Sequence, residues 1–257
     1  MSFTQRQRSS LLFQVGYAMR NPSRIRPYLS RYARDLVLRA GAPDHISYYR
    51  EVMRAEVADK SPFDAVGSPS HGHWLRNGRR QFEYLRAHGL RPDHTVLEIG
   101  CGNLRAGWRL IRYLETGRYH GVDISPDILL AAADTVVQYG LQERLPHLML
   151  VADLTFSSLP DDHFDVVHAH SVFNHTPIEV IDECFAHVGR IMRPSAFFDF
   201  TFDRTEGADH QVLQEDFYYR TDTLTALASA HGLTARFMDD WEQSPSPHSK
   251  IRLTRRF

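Results

Sequence analysis

The chain has only two cysteines, Cys101 and Cys184, in 257 residues, so no disulfide framework is available and a reducing compartment is expected. Lysine is as scarce: Lys60 and Lys250 stand alone among 30 basic residues. The remainder are arginine, which reads as the codon bias of a GC-rich bacterial source. An excess of one charge is missing too, and a net charge of −1 gives no bulk field to hold a nucleic acid. No apolar run reaches the ~20 residues of a membrane span, and no signal-peptide core opens the chain. A cytoplasmic protein is expected. No internal repeat is visible.

What is present is enough chain for one α/β domain with a sizeable core and an appendage. Residues 1 to 41 are helix-prone and basic: eight arginines, from Arg6 to Arg39, face a single acid, Asp35. Apolar residues, among them Leu11, Leu12, Val15, Leu29, Tyr32, Leu36 and Val37, recur there at helical spacing, and Asn21-Pro22 and Arg26-Pro27 are read as breaks. Such a stretch suits an anionic membrane surface or a dimer contact, but the preferred reading is an arm packed on the main domain with solvated arginines. A helix is expected over 47–58, and the Ser/Pro/Gly-rich loop from Lys60 to Gly72 is the best boundary. This divides the chain into an arm or lid, 1–70, and a main domain, 71–257. An amphipathic helix from Trp74 to His88 opens the domain, with Leu75, Phe82 and Leu85 inward and Arg76, Arg79, Arg80 and Arg86 outward. From Arg91 strand and helix patterns alternate, which argues for a mostly parallel sheet with helices on both faces. Strands are expected at 95–99, 119–123, 148–151, 164–168, 196–203, 233–239 and 250–256. Helices are expected at 104–115, 126–139, 178–192 and 221–231.

The chain is organised around the stretch from Val96 to Gly107. A buried strand runs into Gly100 and Gly102 and then into a helical pattern. Glycine lets backbone approach a ligand closely, and the helix start that follows offers free N–H groups. A dinucleotide loop would need a third glycine at Arg105, and a phosphate loop would need Gly-Lys-Ser/Thr; neither is present. Glu98, two residues before the first glycine, is a poor neighbour for pyrophosphate and suits a ligand carrying an ammonium group.

The run Glu98-Ile99-Gly100-Cys101-Gly102-Asn103-Leu104 resembles motif I of the class I S-adenosylmethionine-dependent methyltransferases, acidic-x-Gly-x-Gly-x-Gly, with Leu104 in place of the third glycine. Later features fall at the family's intervals. Asp123, ending the second strand ~20 residues on, suits a ribose diol because a carboxylate accepts two O–H bonds. The plainer reading is that Asp123 caps a helix, although Ser125 is the better cap, with Pro126 at the first helical position. The resemblance implies a Rossmann-like seven-stranded sheet whose last strand is antiparallel, with S-adenosyl-L-methionine as cofactor. It implies cofactor contacts from Glu98, Gly100, Cys101, Gly102, Asp123, Ile124 and His170, with Asp153 and Leu154 at the adenine.

The run from Phe164 to Pro177 supplies the fourth strand and a loop like the family's Ser-Val-Phe-x-His. It has no Asp/Asn-Pro-Pro-aromatic, and Cys184 lies inside the next helix, so nucleic-acid bases drop down the list of acceptors. His168 and His170 share one side of the strand. With an ordinary pKa of ~6.5, histidine can take a proton from a hydroxyl near neutrality. His170 and then His175 are the candidate bases, against the plainer reading that His175 only ties down its loop. Tyr48, Tyr49, Trp74 and Asn174 are expected at the acceptor. No His-Glu-x-x-His or paired-cysteine motif supports a metal, and His71, His73, Asp199 and Asp203 have no fixed ligand spacing. The expected activity is O-methylation of a small-molecule hydroxyl, on a sugar, a glycolipid or a secondary metabolite. An N-methyltransferase acting on a small amine or a protein, or a non-catalytic cofactor-binding protein, are the alternatives.

Overall fold

A computed structural model describes residues 25–243 and 247–256. Three helices and a short helical turn precede the first strand: α1 (Ile25–Gly41), α2 (His45–Asp59), α3 (Pro62–Ala65) and α4 (His71–Ala87). The alternating part follows as β1 (Val96–Ile99), α5 (Gly107–Tyr113), β2 (Tyr119–Asp123), α6 (Pro126–Gln138), β3 (His147–Leu150), β4 (Phe164–Ala169) and α7 (Ile178–Ile191). The chain ends through β5 (Met192–Arg204), β6 (His210–Val212), β7 (Asp216–Tyr219), α8 (Thr221–Ala230), β8 (Leu233–Phe237), α9 (Asp239–Glu242) and β9 (Ser249–Arg255).

The sheet runs β3-β2-β1-β4-β5, and β9 then joins β5 to β8. All pairings in the first five are parallel, and β9 is antiparallel to both neighbours. The seven expected strands are all present, within a few residues of their expected ends. Two more were not foreseen: β6 and β7 form a hairpin whose second strand pairs with the end of β5. Both are too short to show a clear period-two pattern.

The two faces of the sheet differ in chemistry. One face carries Phe198, Phe200, Phe202, Leu97, Val167 and Leu253, all 0% exposed, beneath α7 and α8. Each such side chain contributes roughly 1.5–3 kcal/mol. The other face is apolar at its base, with Val96, Val166 and Tyr119 under α4, α5 and α6. Towards the strand ends it turns polar through Glu98, His168 and Asp199, which lie in one row across β1, β4 and β5.

The arm differs from expectation in two ways. Arg26-Pro27 sits in the first turn of α1 and does not break it, because a first-turn proline removes only an N–H that has no helical partner. The apolar stripe of α1 is not its buried face: Leu36 and Val37 are exposed, and Asp35 is buried, accepting from Tyr48 Oη at 2.7 Å. The first helical segment and the Asn21-Pro22 break lie outside the described residues.

Candidate active site

Strand β1 ends in a loop where Gly100 and Gly102 hold φ of +64° and +53°. A Cβ on Gly100 would come within 2.5 Å of Val172, and one on Gly102 within 3.2 Å of Val66, so the loop is closed on both sides. Leu104, at the third glycine position, also adopts a left-handed φ of +63°, and its side chain is fully buried. Gly107 supplies the tight packing instead: a Cβ there would lie 2.5 Å from Tyr119 Oη and 2.9 Å from Glu98 Oε2.

These residues line one side of a cavity of about 530 Å³ at the carboxyl ends of β1, β2 and β4. Asp123 braces the loop, its two oxygens accepting the Gly102 N–H at 2.9 Å and the Ser125 N–H at 3.0 Å. Ser125 caps α6 by accepting from Ile128 N, so Asp123 is not the cap. Each Asp123 oxygen keeps acceptor capacity towards the cavity, and burial raises its pKa above the ordinary carboxylate value. Glu98 accepts from Tyr119 Oη at 2.5 Å, and burial pushes its pKa up to about 7.

The arm builds the facing wall. His45, Ile46, Tyr49 and Met53 of α2 and the turn at 65–67 line the cavity. Arg50 Nε donates to the Ile124 carbonyl at 2.7 Å, tying α2 to the end of β2. Tyr49 stacks on His175 with ring centroids 5.5 Å apart. Arg31 and Arg34 of α1 bond Glu215, beside the β6–β7 hairpin. The described part of the arm therefore packs over the strand ends.

The two candidate bases have different surroundings. His175 is engaged at both nitrogens: Nδ1 donates to the Glu215 carbonyl at 2.6 Å, and Nε2 accepts from Asn174 Nδ2 at 3.0 Å. That is the tethering role. His170 lines the cavity, is 8% exposed, and its Nδ1 has no hydrogen-bond partner. Burial, then the nearby Arg105 and Lys250, hold its pKa well below the usual imidazole value, so it is neutral near pH 7.

Of the other expected residues, Glu98, Gly100, Cys101, Gly102, Asp123, Ile124, Leu154, Tyr49 and Asn174 all line the cavity. Three do not. Asp153 turns into its own loop, accepting from Thr155 N at 3.0 Å and Thr155 Oγ1 at 2.6 Å, and the Leu154 N–H donates to Glu183. Tyr48 is buried against Asp35, and Trp74 donates to Asn103 Oδ1 at 2.8 Å within the core. An aromatic residue near a site by sequence is as often a strut, and these two are struts. Asp199 is held by Arg252 and Asp203 by His248, and among the described residues no cluster of three or more metal-type ligands forms.

Sequence reading missed Arg80, Gln81, Arg105, His45 and His248, all on the cavity lining. Arg80 was assigned to the outward face of α4. The buried stripe of that helix is Trp74, Gly78, Gln81 and Leu85, helical spacing carried partly by glycine and glutamine. Gly78 is needed there because a Cβ would overlap the Arg105 carbonyl at 1.8 Å.

Residues 97–198 match a family model described as a methyltransferase domain. A probable methyltransferase, ltbC, of Aspergillus luteorubrus is 22% identical over 160 residues, covering 61% of this chain and 53% of that protein. The chain thus spans about half the length of that curated relative. Among solved structures, magnesium protoporphyrin IX methyltransferase from Synechocystis, crystallised with bound SAM, superposes with a TM-score of 0.63 at 15% identity. That superposition covers 83% of this chain and 98% of the other. The [4+2]-cyclase SpnF superposes with a TM-score of 0.56 at 15% identity, covering 69% of this chain and 81% of its own. Strand order, the glycine loop with Glu98 and Asp123, and the family match agree: residues 97–198 match a methyltransferase domain, set in a Rossmann-like sheet of the kind found in the SAM-bound methyltransferase above.

Proposed function

We propose that the protein transfers the cofactor's methyl group to a hydroxyl of a small molecule, with His170 as the base. The observation that carries this reading is the unpartnered Nδ1 of His170, buried on the wall of a cavity whose other side is the glycine loop. The residues present fit the cofactor. Glycines at 100 and 102 leave a cradle that a Cβ would crowd, and Asp123 offers two acceptors for a ribose diol. Glu98 and Arg105, oppositely charged and both on the lining, suit the ammonium and carboxylate of an amino-acid end. When bound, S-adenosylmethionine supplies an electrophilic methyl on sulfur.

The chain's own residues then have three tasks. The loop and Asp123 fix the cofactor, and the arm closes the cavity from water, so acceptor and methyl are held in line. His170 accepts a hydrogen bond from the acceptor hydroxyl. Its weak basicity is sufficient, because a hydroxyl oxygen becomes strongly acidic only as its bond to the methyl forms. Proton removal is late, and its contribution is of the order of 10²–10⁴-fold.

The test is incubation with methyl-labelled cofactor and a small-molecule extract, with products identified by mass spectrometry. A labelled methyl ether is expected, and His170→Ala should cut its formation ~10²–10⁴-fold while S-adenosylhomocysteine still binds. Labelled amines as the only products, or an undiminished rate in the variant, would sink the reading.

A further inference from the structure

Helix α1 presents its polar side to the protein and its apolar side outward. Between Arg31 and Ala40 the exposed residues are Tyr32, Ala33, Leu36, Val37, Arg39 and Ala40, spaced so that they share one side of the helix. Five of the six are apolar, and Tyr32, Leu36 and Val37 are 44%, 51% and 73% exposed. The opposite side is charged and bonded to the protein. Arg31 Nη2 donates to Glu215 Oε2 at 2.9 Å and to Asp216 Oδ2 at 2.8 Å. Arg34 donates to Glu56 Oε1 at 2.6 Å and to Glu215 Oε1 at 2.9 Å, and Asp35 accepts from Tyr48 Oη. Single exposed leucines are ordinary. Here, however, the ion pairs fix α1 to α2 and to the start of β7 in the one orientation that turns the apolar stripe out. No described side chain of α1 lines the cavity, so the stripe has no part in the active site.

The charge around the stripe has one sign. Arg39 is exposed and makes no ion pair among the described residues. Asp35, the only acid in residues 1–41, is buried, and that segment holds eight arginines. The next acid along the chain, Asp44, is turned to the N-terminus of α2, accepting from Ser47 N at 2.7 Å. A second copy of this chain would bring the same arginines and no acid to a two-fold contact, setting like charges against each other. An anionic lipid surface meets both properties of the stripe. It takes apolar side chains into its acyl boundary and cations among its phosphates.

We propose that the outward face of α1 is a peripheral docking surface for anionic membranes. Tyr32, Leu36 and Val37 enter the acyl boundary, and Arg39 meets the lipid phosphates. The helix, 17 residues and about 25 Å long, lies in the headgroup plane and does not cross the bilayer.

Co-sedimentation of the 257-residue chain with lipid vesicles tests it. Vesicles of phosphatidylcholine mixed with phosphatidylglycerol should bind the protein at least about tenfold more strongly than phosphatidylcholine alone, and high salt should weaken the binding. The double variant Leu36→Glu/Val37→Glu, at exposed positions, should reduce it by about tenfold or more, and Arg39→Glu should reduce it several-fold. Leu130→Glu, at a 69% exposed leucine on α6, should leave it unchanged. Circular dichroism of each variant checks that the fold is retained. Absence of vesicle binding, equal binding to both compositions, or binding that survives Leu36→Glu/Val37→Glu overturns the proposal, as does an equal loss in Leu130→Glu. A dimer in light scattering that Leu36→Glu/Val37→Glu dissolves, in a wild type that binds no vesicles, overturns it in favour of a second copy on the stripe.

Discussion

Glu98 shows how much a single carboxylate can report. Burial pushes its pKa up to about 7, so near pH 6 it is mostly protonated in the folded protein and mostly ionised in the unfolded chain. The folded state then binds more protons than the unfolded one, and this group's contribution to stability falls as pH rises between its ordinary value and about 7. An ammonium group placed beside it reverses the preference and favours the ionised form. Binding of S-adenosylhomocysteine should therefore release protons at pH 6 and almost none above pH 8.5. Titrations in buffers of different ionisation enthalpy measure this directly. Equal proton release at both pH values would mean that Glu98 does not face the ammonium. Leu104 is a second residue-scale case. Its left-handed backbone costs about 1–3 kcal/mol, while a buried leucine loses ~2–5 kcal/mol on truncation. Burial wins, so Leu104→Gly should lower stability in denaturant titration by ~1–3 kcal/mol despite restoring the family's glycine. A stabilised variant would show that strain, not packing, dominates there.

At the level of elements, the strands and main helices were legible because their periods are clean: the Phe-Asp-Phe-Thr-Phe-Asp alternation of β5 declares both faces of the sheet. Ser125-Pro126 marked the start of α6 for an equally local reason, the cap and the missing N–H. What could not be read was which side of a helix faces a partner when that side is polar. Asp35 on α1 and Gln81 on α4 are buried because their hydrogen-bond partners, Tyr48 and His168, arrive from elsewhere in the sequence. The arm is held by the same kind of long-range pair. Arg31 and Arg34 clasp Glu215 and Asp216, with the arginine side chains 38% and 28% exposed, so each pair is worth no more than about 1 kcal/mol. The double variant Arg31→Ala/Arg34→Ala should leave the fold intact but speed amide hydrogen exchange in α1 and α2. It should also lower methyl transfer several-fold, with a smaller effect on S-adenosylhomocysteine affinity. Unaltered exchange in α2 would show that Arg50 and Tyr49, rather than the clasp, hold the arm in place.

Across the whole molecule, one sheet face carries the aromatic core under α7 and α8, and the opposite face turns polar at the strand ends through Glu98, His168 and Asp199. No described helix is long and apolar enough to cross a membrane, and the large exposed apolar residues of the arm, Tyr32, Leu36 and Val37, stand on the outer side of α1. The glycine-loop side of the cavity was legible from its motif and the family resemblance, because Gly100 and Gly102 take up positive φ and Asp123 is bonded to the nearby Gly102 and Ser125 N–H groups. The facing wall was not, because Arg80 and Gln81 of α4, His45 and Tyr49 of α2, and His248 come together from distant parts of the sequence. SpnF, a [4+2]-cyclase, shares this fold, so the cofactor site has to be tested at its own residues. The most direct measurement is calorimetric titration of S-adenosylhomocysteine into the wild-type protein and Asp123→Ala. The wild type should bind, and removing two charge-assisted acceptors should weaken affinity by about 10–100-fold with the fold retained by circular dichroism. Wild-type affinity in Asp123→Ala, or no binding by either protein, would contradict the assignment of this cavity to the cofactor.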